Sequence, residues 1–359
     1  MKEFDVIIIG AGVAGSTAAF HLAKRGHSVI LLEKGLETPF QPCGGGMASC
    51  VQQWFPFDLL PIVDEVINRV DFSWCLGDQV VADLPGKSPF WIVQRERLDQ
   101  LITNKAIEQG VQLIRPFLVD YIEKTNTGWS VRNKEGELFS SKAIVLSNGS
   151  DSKWPKKYNL GPKNLHRAST TSVRLEGRGN MKQGTSRFEF GLVHHGFAWA
   201  FPIKDGVNIG MGTFIGRNEV NTNLVLKTLL PSLGFPPDTG TIIKKSLNVW
   251  NGHHKLDGDG IVVVGDAASL CDPFLAEGIR PSIMSGFEAA KSLNEWLRGD
   301  LENLNQYTEQ MKIKWGESMA WGRRISQVFY RFPKVGYQLG IKRPTAPQRI
   351  AQILSGEMG

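Results

Sequence analysis

Gly10-Ala11-Gly12-Val13-Ala14-Gly15 follows the β-branched run Val6 to Ile9 and opens a stretch with helical spacing. Glycines in that order serve three purposes. Gly10 permits a tight turn, Gly12 lets backbone approach a pyrophosphate, and Gly15 lets the helix pack on its strand. The helix N-terminus adds partial positive charge. Glu33 ends the next buried strand, Val29 to Leu32, eighteen positions after Gly15. A carboxylate placed there accepts hydrogen bonds from ribose hydroxyls. Ala11, Ala14 and Lys34 are assigned to the same site. Strand, turn, helix, strand and acid together predict a dinucleotide site.

Gly265-Asp266-Ala267-Ala268 decides which dinucleotide. It follows the buried strand Ile261 to Val264 and precedes a helix start at Ala276-Glu277-Gly278-Ile279. Asp266 can accept hydrogen bonds from the ribityl chain of a flavin. The helix N-terminus at Gly278 and Ile279 can face the pyrimidine edge and stabilise negative charge on a reduced flavin. The expected cofactor is therefore FAD.

A glycine turn near residue 10, an acid at 33 and a late Gly-Asp-Ala-Ala resemble the FAD-dependent oxidoreductases of the aromatic-hydroxylase fold. A narrower likeness follows. Pro42-Cys43-Gly44-Gly45-Gly46 resembles a loop of the geranylgeranyl reductases. Gly196-Phe197-Ala198-Trp199-Ala200-Phe201-Pro202 with Gly206-Val207-Asn208-Ile209-Gly210 resembles their hairpin. Asp272-Pro273 to Gly278-Ile279, Ser285-Gly286 and the closing Ile353-Leu354-Ser355-Gly356-Glu357 are similar too. The resemblance implies that Arg95, rather than Arg97, holds the pyrophosphate region. It puts Cys43 beside the flavin ring as the catalytic residue, with Gly44 and Gly45 allowing close backbone approach. Phe197 and Trp199 fall on the substrate side. The implied reaction hydrogenates C=C bonds of a hydrophobic isoprenoid chain with hydride from N5 of reduced FAD. NADPH or ferredoxin would be the electron donor. An oxygen-consuming monooxygenase or halogenase acting on a small hydrophobic substrate stays open. So do a redox-neutral cyclase and a non-catalytic flavin-binding paralogue.

The chain departs from the family at named positions. His194-His195 precedes Gly196 where a proline is usual, and Phe197 replaces a tyrosine. Ala276 begins the late glycine segment, Arg280-Pro281 follows it, and Asn148 stands where relatives carry Asp. The histidine pair reads as sheet-edge structure or as proton donors.

The elements that must position these residues alternate along 359 residues. βαβ pieces at 4–34 and 261–298 bracket an alternating, antiparallel block with a hairpin signal at Asp205-Gly206. The expected class is α/β. A Rossmann-like FAD-binding domain is built from 1–70, 95–165 and 255–300. An antiparallel-sheet substrate domain is inserted from 71–94 and 166–254, and a helical region follows at 301–359. At 42% hydrophobic and 21% charged the chain can bury a large core. Val6 to Ala23 lacks formal charge, but Gly10, Gly12 and Gly15 mark it as strand, turn and helix rather than a membrane span. Four cysteines, at 43, 50, 75 and 271, suit a reducing, cytoplasmic setting, and all but Cys43 read as structural. None has metal-site spacing, so no metal is expected. The net charge is +6, and nine Lys/Arg against four Glu after residue 300 concentrate it in the tail. No nucleic-acid module accompanies that charge. Tyr307, Trp315, Trp321, Phe329, Tyr330, Phe332 and Tyr337 lie among those bases. This mixture predicts peripheral contact with an anionic membrane surface.

Overall fold

A computed structural model describes residues 2–38, 40–84, 90–214 and 221–343. The closing segment 353–357 lies outside the described residues. The apolar runs at 6–9, 29–32 and 143–146 are buried along their length and pair in parallel in one sheet. Lys2–Ile9 lies at its centre between Leu138–Leu146 and Val29–Leu32, with Val6 opposite both Ala143 and Val29. Ile261–Val263 extends one side and Gln112–Ile114 the other. The helix Val13–Ala23 leaves the first strand through the glycine turn, and the helix Ile279–Leu297 packs on it. Gly286 makes that crossing close, since a Cβ there would lie 2.4 Å from the Ala14 carbonyl oxygen.

The second sheet runs in the order Ile243–Val249, His166–Glu176, Gly206–Thr213, Gly196–Ile203, Thr185–Phe190, Arg69–Trp74, Gly77–Asp83. Its neighbours are antiparallel except Thr185–Phe190 with Arg69–Trp74, which run parallel. Period-two alternation sorts the residues of Gly196–Ile203. Phe197, Trp199 and Phe201 join one aromatic cluster, while Ala198 and Ala200 pack with Leu226 and Leu229 of the helix Thr222–Ser232. The hairpin pairs Ile203 with Gly206, so its turn is Lys204-Asp205 rather than Asp205-Gly206. Gly206 serves close strand packing instead, because a Cβ would sit 1.9 Å from the Leu175 carbonyl oxygen.

Within the expected 71–94 insertion, Phe90–Val93 departs from the second sheet, which Arg69–Trp74 and Gly77–Asp83 do join. It lies between Gly46–Ala48 and Val63–Ile67 in a third, three-stranded sheet. All four of its residues are buried, so no alternation in the sequence indicated a partner. The tail brings a correction. Tyr307, Trp315, Phe329, Tyr330 and Tyr337 are buried, leaving only Trp321 and Phe332 of the aromatic set exposed. The Tyr307 hydroxyl donates to Val263 O at 2.9 Å and the Trp315 indole to Leu270 O at 2.8 Å. No described helix is long and apolar enough to cross a membrane.

His21 gives this fold a pH dependence. Its ring lies against Phe55 and Phe287, and Nε2 has no partner among the described residues. Burial, reinforced by Arg25, lowers its pKa from 6.5 to about 4, against a hydrogen bond with the Trp54 backbone. The unfolded chain therefore takes up the proton first. The penalty is absent above pH 6.5 and grows as pH falls toward 4, reaching about 3 kcal/mol. His21→Phe should flatten the fall of melting temperature across that window. An unchanged slope would show that other groups dominate.

Candidate active site

A cavity of about 700 Å³ opens where the C-terminal ends of the parallel strands meet the aromatic face of the second sheet. Ile9, Leu32 and Ser147 reach it from three adjacent strands, which is where open α/β sheets place their ligands.

The glycine turn forms one wall. Gly10 has φ +104°, and a Cβ there would lie 2.6 Å from Ser147 O. The Ser147 hydroxyl donates to Ile9 O at 2.7 Å and Gly10 O at 2.9 Å, pinning the turn. Gly15 stands behind the wall, where a Cβ would lie 2.0 Å from Gly10 O. Gly12 is different, since a Cβ there would meet nothing within 4 Å. The helix beyond it has no side-chain cap and no acid in its first turn, so its N–H groups and positive end are left for a ligand in the cavity. Ala11 and Ala14 line the same wall. Glu33 accepts from the Ala11 N–H at 2.7 Å and the Gly35 N–H at 3.1 Å, so it fixes the turn as well as lining the cavity. Lys34 lines it too, with an exposed side chain.

Two carboxylates and two bases set the electrostatics of the far side. Arg95 starts the helix Arg95–Glu108, lines the cavity, and binds Asp99 one turn on, Nη2 to Oδ1 at 3.1 Å. Burial disfavours the guanidinium charge, but Asp99, Cys43 and Asp266 hold its pKa above the ordinary arginine value. Arg97 lies off the cavity, bound to Asp64 at 2.5 Å and Pro61 O at 3.1 Å. Asp266 lines the cavity, and no described residue donates a hydrogen bond to its carboxylate. Burial raises its pKa, opposed by Lys245 and Arg95. Its loop is tied to the second sheet by Asn248, whose amide reaches Ser150 O at 2.8 Å and Asp266 O at 3.3 Å. Gly265 sits behind, φ +61°, with its N–H on the Ser285 hydroxyl at 3.0 Å. Gly278 and Ile279 bring a second helix N-terminus to the cavity. Arg280 turns away, paired with Glu277 at 3.1 Å and stacked on Trp315.

The third wall joins the Cys43 loop to the aromatic sheet face. Gly45 has φ +77°, and a Cβ there would lie 1.9 Å from Val93 O. At Gly44 one would lie 2.8 Å from the Phe201 ring and 3.1 Å from Trp199 Nε1. Cys43 is half-buried. Its sulfur accepts the Gly45 N–H at 3.4 Å, and its carbonyl accepts from the Asn208 amide at 2.5 Å. Phe197, Trp199, Phe201 and Phe188 face this loop, and the buried Trp199 N–H has no partner among the described residues. His194 and His195 lie off the cavity, with His195 Nδ1 2.7 Å from Tyr330 O. No group of three or more potential metal-binding side chains occurs among the described residues.

Sequence reasoning missed Ser147, Thr170 and Lys245, all of which line the cavity. Ser147 follows a strand end without a motif. Lys245 and Thr170 pair across two strands, a proximity invisible in one dimension. Lys245 Nζ reaches the Gln41 side-chain oxygen at 2.5 Å.

The family described as FAD dependent oxidoreductase matches residues 5–60, the segment holding the glycine turn and Glu33. A digeranylgeranylglycerophospholipid reductase of Methanococcus vannielii is 25% identical over 87% of this chain and 83% of its own. A menaquinone reductase of Mycobacterium tuberculosis is 25% identical over 92% and 85%. The chain is an FAD-dependent oxidoreductase. Its fold matches that of a geranylgeranyl bacteriochlorophyll reductase-like protein of Thermoplasma acidophilum, with TM-score 0.82, 19% identity and 99% and 92% coverage. A flavin-dependent brominase shares it too, at TM-score 0.78, 20% identity and 98% and 94% coverage. The residues lining the cavity fit FAD at two places. An uncapped helix end with open space at Gly12 fits an anion, and the undonated Asp266 carboxylate fits hydroxyl groups.

Proposed function

We propose that this oxidoreductase hydrogenates C=C bonds of an isoprenoid chain of geranylgeranyl type. The observation that carries this reading is the single cavity that joins the glycine turn to the Cys43 loop and to a wall of four aromatic rings. The reductases named above, similar across most of this chain, support the substrate class. When bound in the cavity, reduced FAD would supply a hydride from N5, and an external donor, NADPH or two equivalents of a ferredoxin with a proton, would return the two electrons.

The chain's own residues do the rest. Gly10, Ala11, Gly12 and Ala14 with their helix end take the pyrophosphate, and Glu33 and Lys34 the adenosine side. Arg95 offsets phosphate charge from across the cavity. Asp266 accepts from the ribityl hydroxyls, and the helix end at Gly278 and Ile279 faces the pyrimidine edge. Gly15 and Gly265 bind through position, letting helix and loop pack close behind. Phe197 and Trp199 hold the alkene in a water-poor slot. Cys43 gives its thiol proton to the second carbon, and water reprotonates the thiolate. A chain of this kind resides in bilayers, so an anionic membrane surface is the expected place of work.

A second reading is oxygen-dependent halogenation or hydroxylation of a small hydrophobic substrate. The brominase likeness and the cavity amine of Lys245 favour it. Exclusion of oxygen separates the two. Under argon, a geranylgeranyl lipid should restore the oxidised-flavin absorbance of the reduced holoenzyme, and its fully saturated counterpart should not. No recovery under argon, with turnover only in air, would favour the second reading. Cys43→Ala should keep FAD and slow recovery on the order of 100-fold, the usual worth of a positioned acid. A rate equal to wild type would make Cys43 a packing residue.

A further inference from the structure

Trp321, Ile325, Val328, Phe332, Val335 and Leu339 follow one another at steps of four and three residues, and each is between 50% and 67% exposed. The first three share the outer face of the helix Glu317–Arg331, and the others continue along the turns after it. The inner faces of the same segments are buried. Phe329, Tyr330, Tyr337 and Ile341 belong to the cluster that contains Phe197, Trp199 and Phe201 of the cavity wall. A covering helix ordinarily turns polar residues to water, but this one also exposes Trp321, Ile325 and Val328, beside Arg324, Gln327 and Arg331. An exposed run of six large apolar side chains marks a contact surface.

Charge says what it contacts. Between residues 312 and 343 the chain holds eight Lys/Arg and one acid, Glu317. Arg324 lies over the Trp321 ring at 5.4 Å, and Arg331 and Lys334 make no ion pair among the described residues. Two copies meeting through this face would bring like charges together. An anionic bilayer instead accepts apolar side chains below its headgroups and bases beside them.

We propose that this outer face inserts into the headgroup region of an anionic bilayer, holding the aromatic end of the cavity against the membrane. The inner side of the helix is one residue from the cavity. The Tyr330 hydroxyl donates to Phe274 O, and the neighbours Leu275 and Ala276 line the wall. The proposal deepens the isoprenoid reading by assigning the surface from which such a substrate arrives, and its test is independent of catalysis.

The test is vesicle flotation of holoenzyme with phosphatidylglycerol–phosphatidylcholine mixtures and with phosphatidylcholine alone. Wild type should float with the anionic vesicles and release with salt. Ile325→Asp/Val328→Asp should weaken binding about tenfold or more, through loss of buried apolar area. Arg331→Glu/Lys334→Glu should weaken it on anionic vesicles. Both variants should keep the wild-type flavin spectrum, so fold loss is visible separately. No flotation of wild type, or equal flotation of the Asp variant, overturns the proposal. A wild-type dimer in light scattering that the Asp variant converts to monomer also overturns it, giving the face to a second copy. Failure of alkene reduction alongside intact flotation would strike the catalytic reading alone.

Discussion

Gly12→Val is expected to give a folded protein that purifies without flavin. The substitution is informative because the three glycines of the turn fail differently. A side chain at Gly10 meets Ser147 O at 2.6 Å, and one at Gly15 meets Gly10 O at 2.0 Å, so those changes damage the fold. At Gly12 the new atoms enter open space on the cavity wall, in the N-cap position with extended ψ −178° that valine tolerates. The fold should stand while the isopropyl group fills the room a pyrophosphate needs. Crowding of that kind costs about 3 kcal/mol, on the order of 100-fold in affinity. Visible absorbance of the purified variant and the melting temperature of deflavinated proteins check the two halves. A yellow Gly12→Val with wild-type FAD content would remove the pyrophosphate from this helix end.

Arg95→Met should destabilise the protein by about 3 kcal/mol, because it strands the Asp99 carboxylate in a nearly dry site. The paired variant Arg95→Met/Asp99→Leu should regain most of that stability, since it removes the buried charge with its partner. It should still bind FAD more weakly than wild type, because the cation facing the cavity is gone. Chemical denaturation gives the first comparison and FAD titration of deflavinated protein the second. If the paired variant binds FAD as wild type does, Arg95 is a structural partner of Asp99 and nothing more.

Local signals carried the first wall of the cavity. The glycine turn, its helix and Glu33 are contiguous in sequence, and each glycine's task follows from what a Cβ would strike. Glu33 also shows the limit, because its hydrogen bond to the Ala11 N–H depends on a fold of the loop that spacing does not encode. On the aromatic wall, Phe197 and Trp199 entered through the family resemblance, while Phe201, which joins the same cluster, was not singled out. Neither was Lys245, for it reaches the wall through strand pairing with Thr170. The tail misled for a physical reason. Tyr307, Tyr330 and Tyr337 looked like interfacial aromatics, yet each hydroxyl finds a backbone carbonyl and each ring is buried. The exposed face is instead built largely from Ile, Val and Leu at helical spacing, a stripe that composition alone averages away. Phe90–Val93 was recognised as a strand but not given its partners, since a fully buried strand has no polar side to orient it.

Reduction of an isoprenoid double bond changes the mass of the product. Holoenzyme reduced with dithionite under argon should convert a geranylgeranyl lipid to products heavier in steps of about two hydrogens, one step for each hydride delivered. Substrate of unchanged mass under argon, with products bearing oxygen or halogen only after air is admitted, would contradict it.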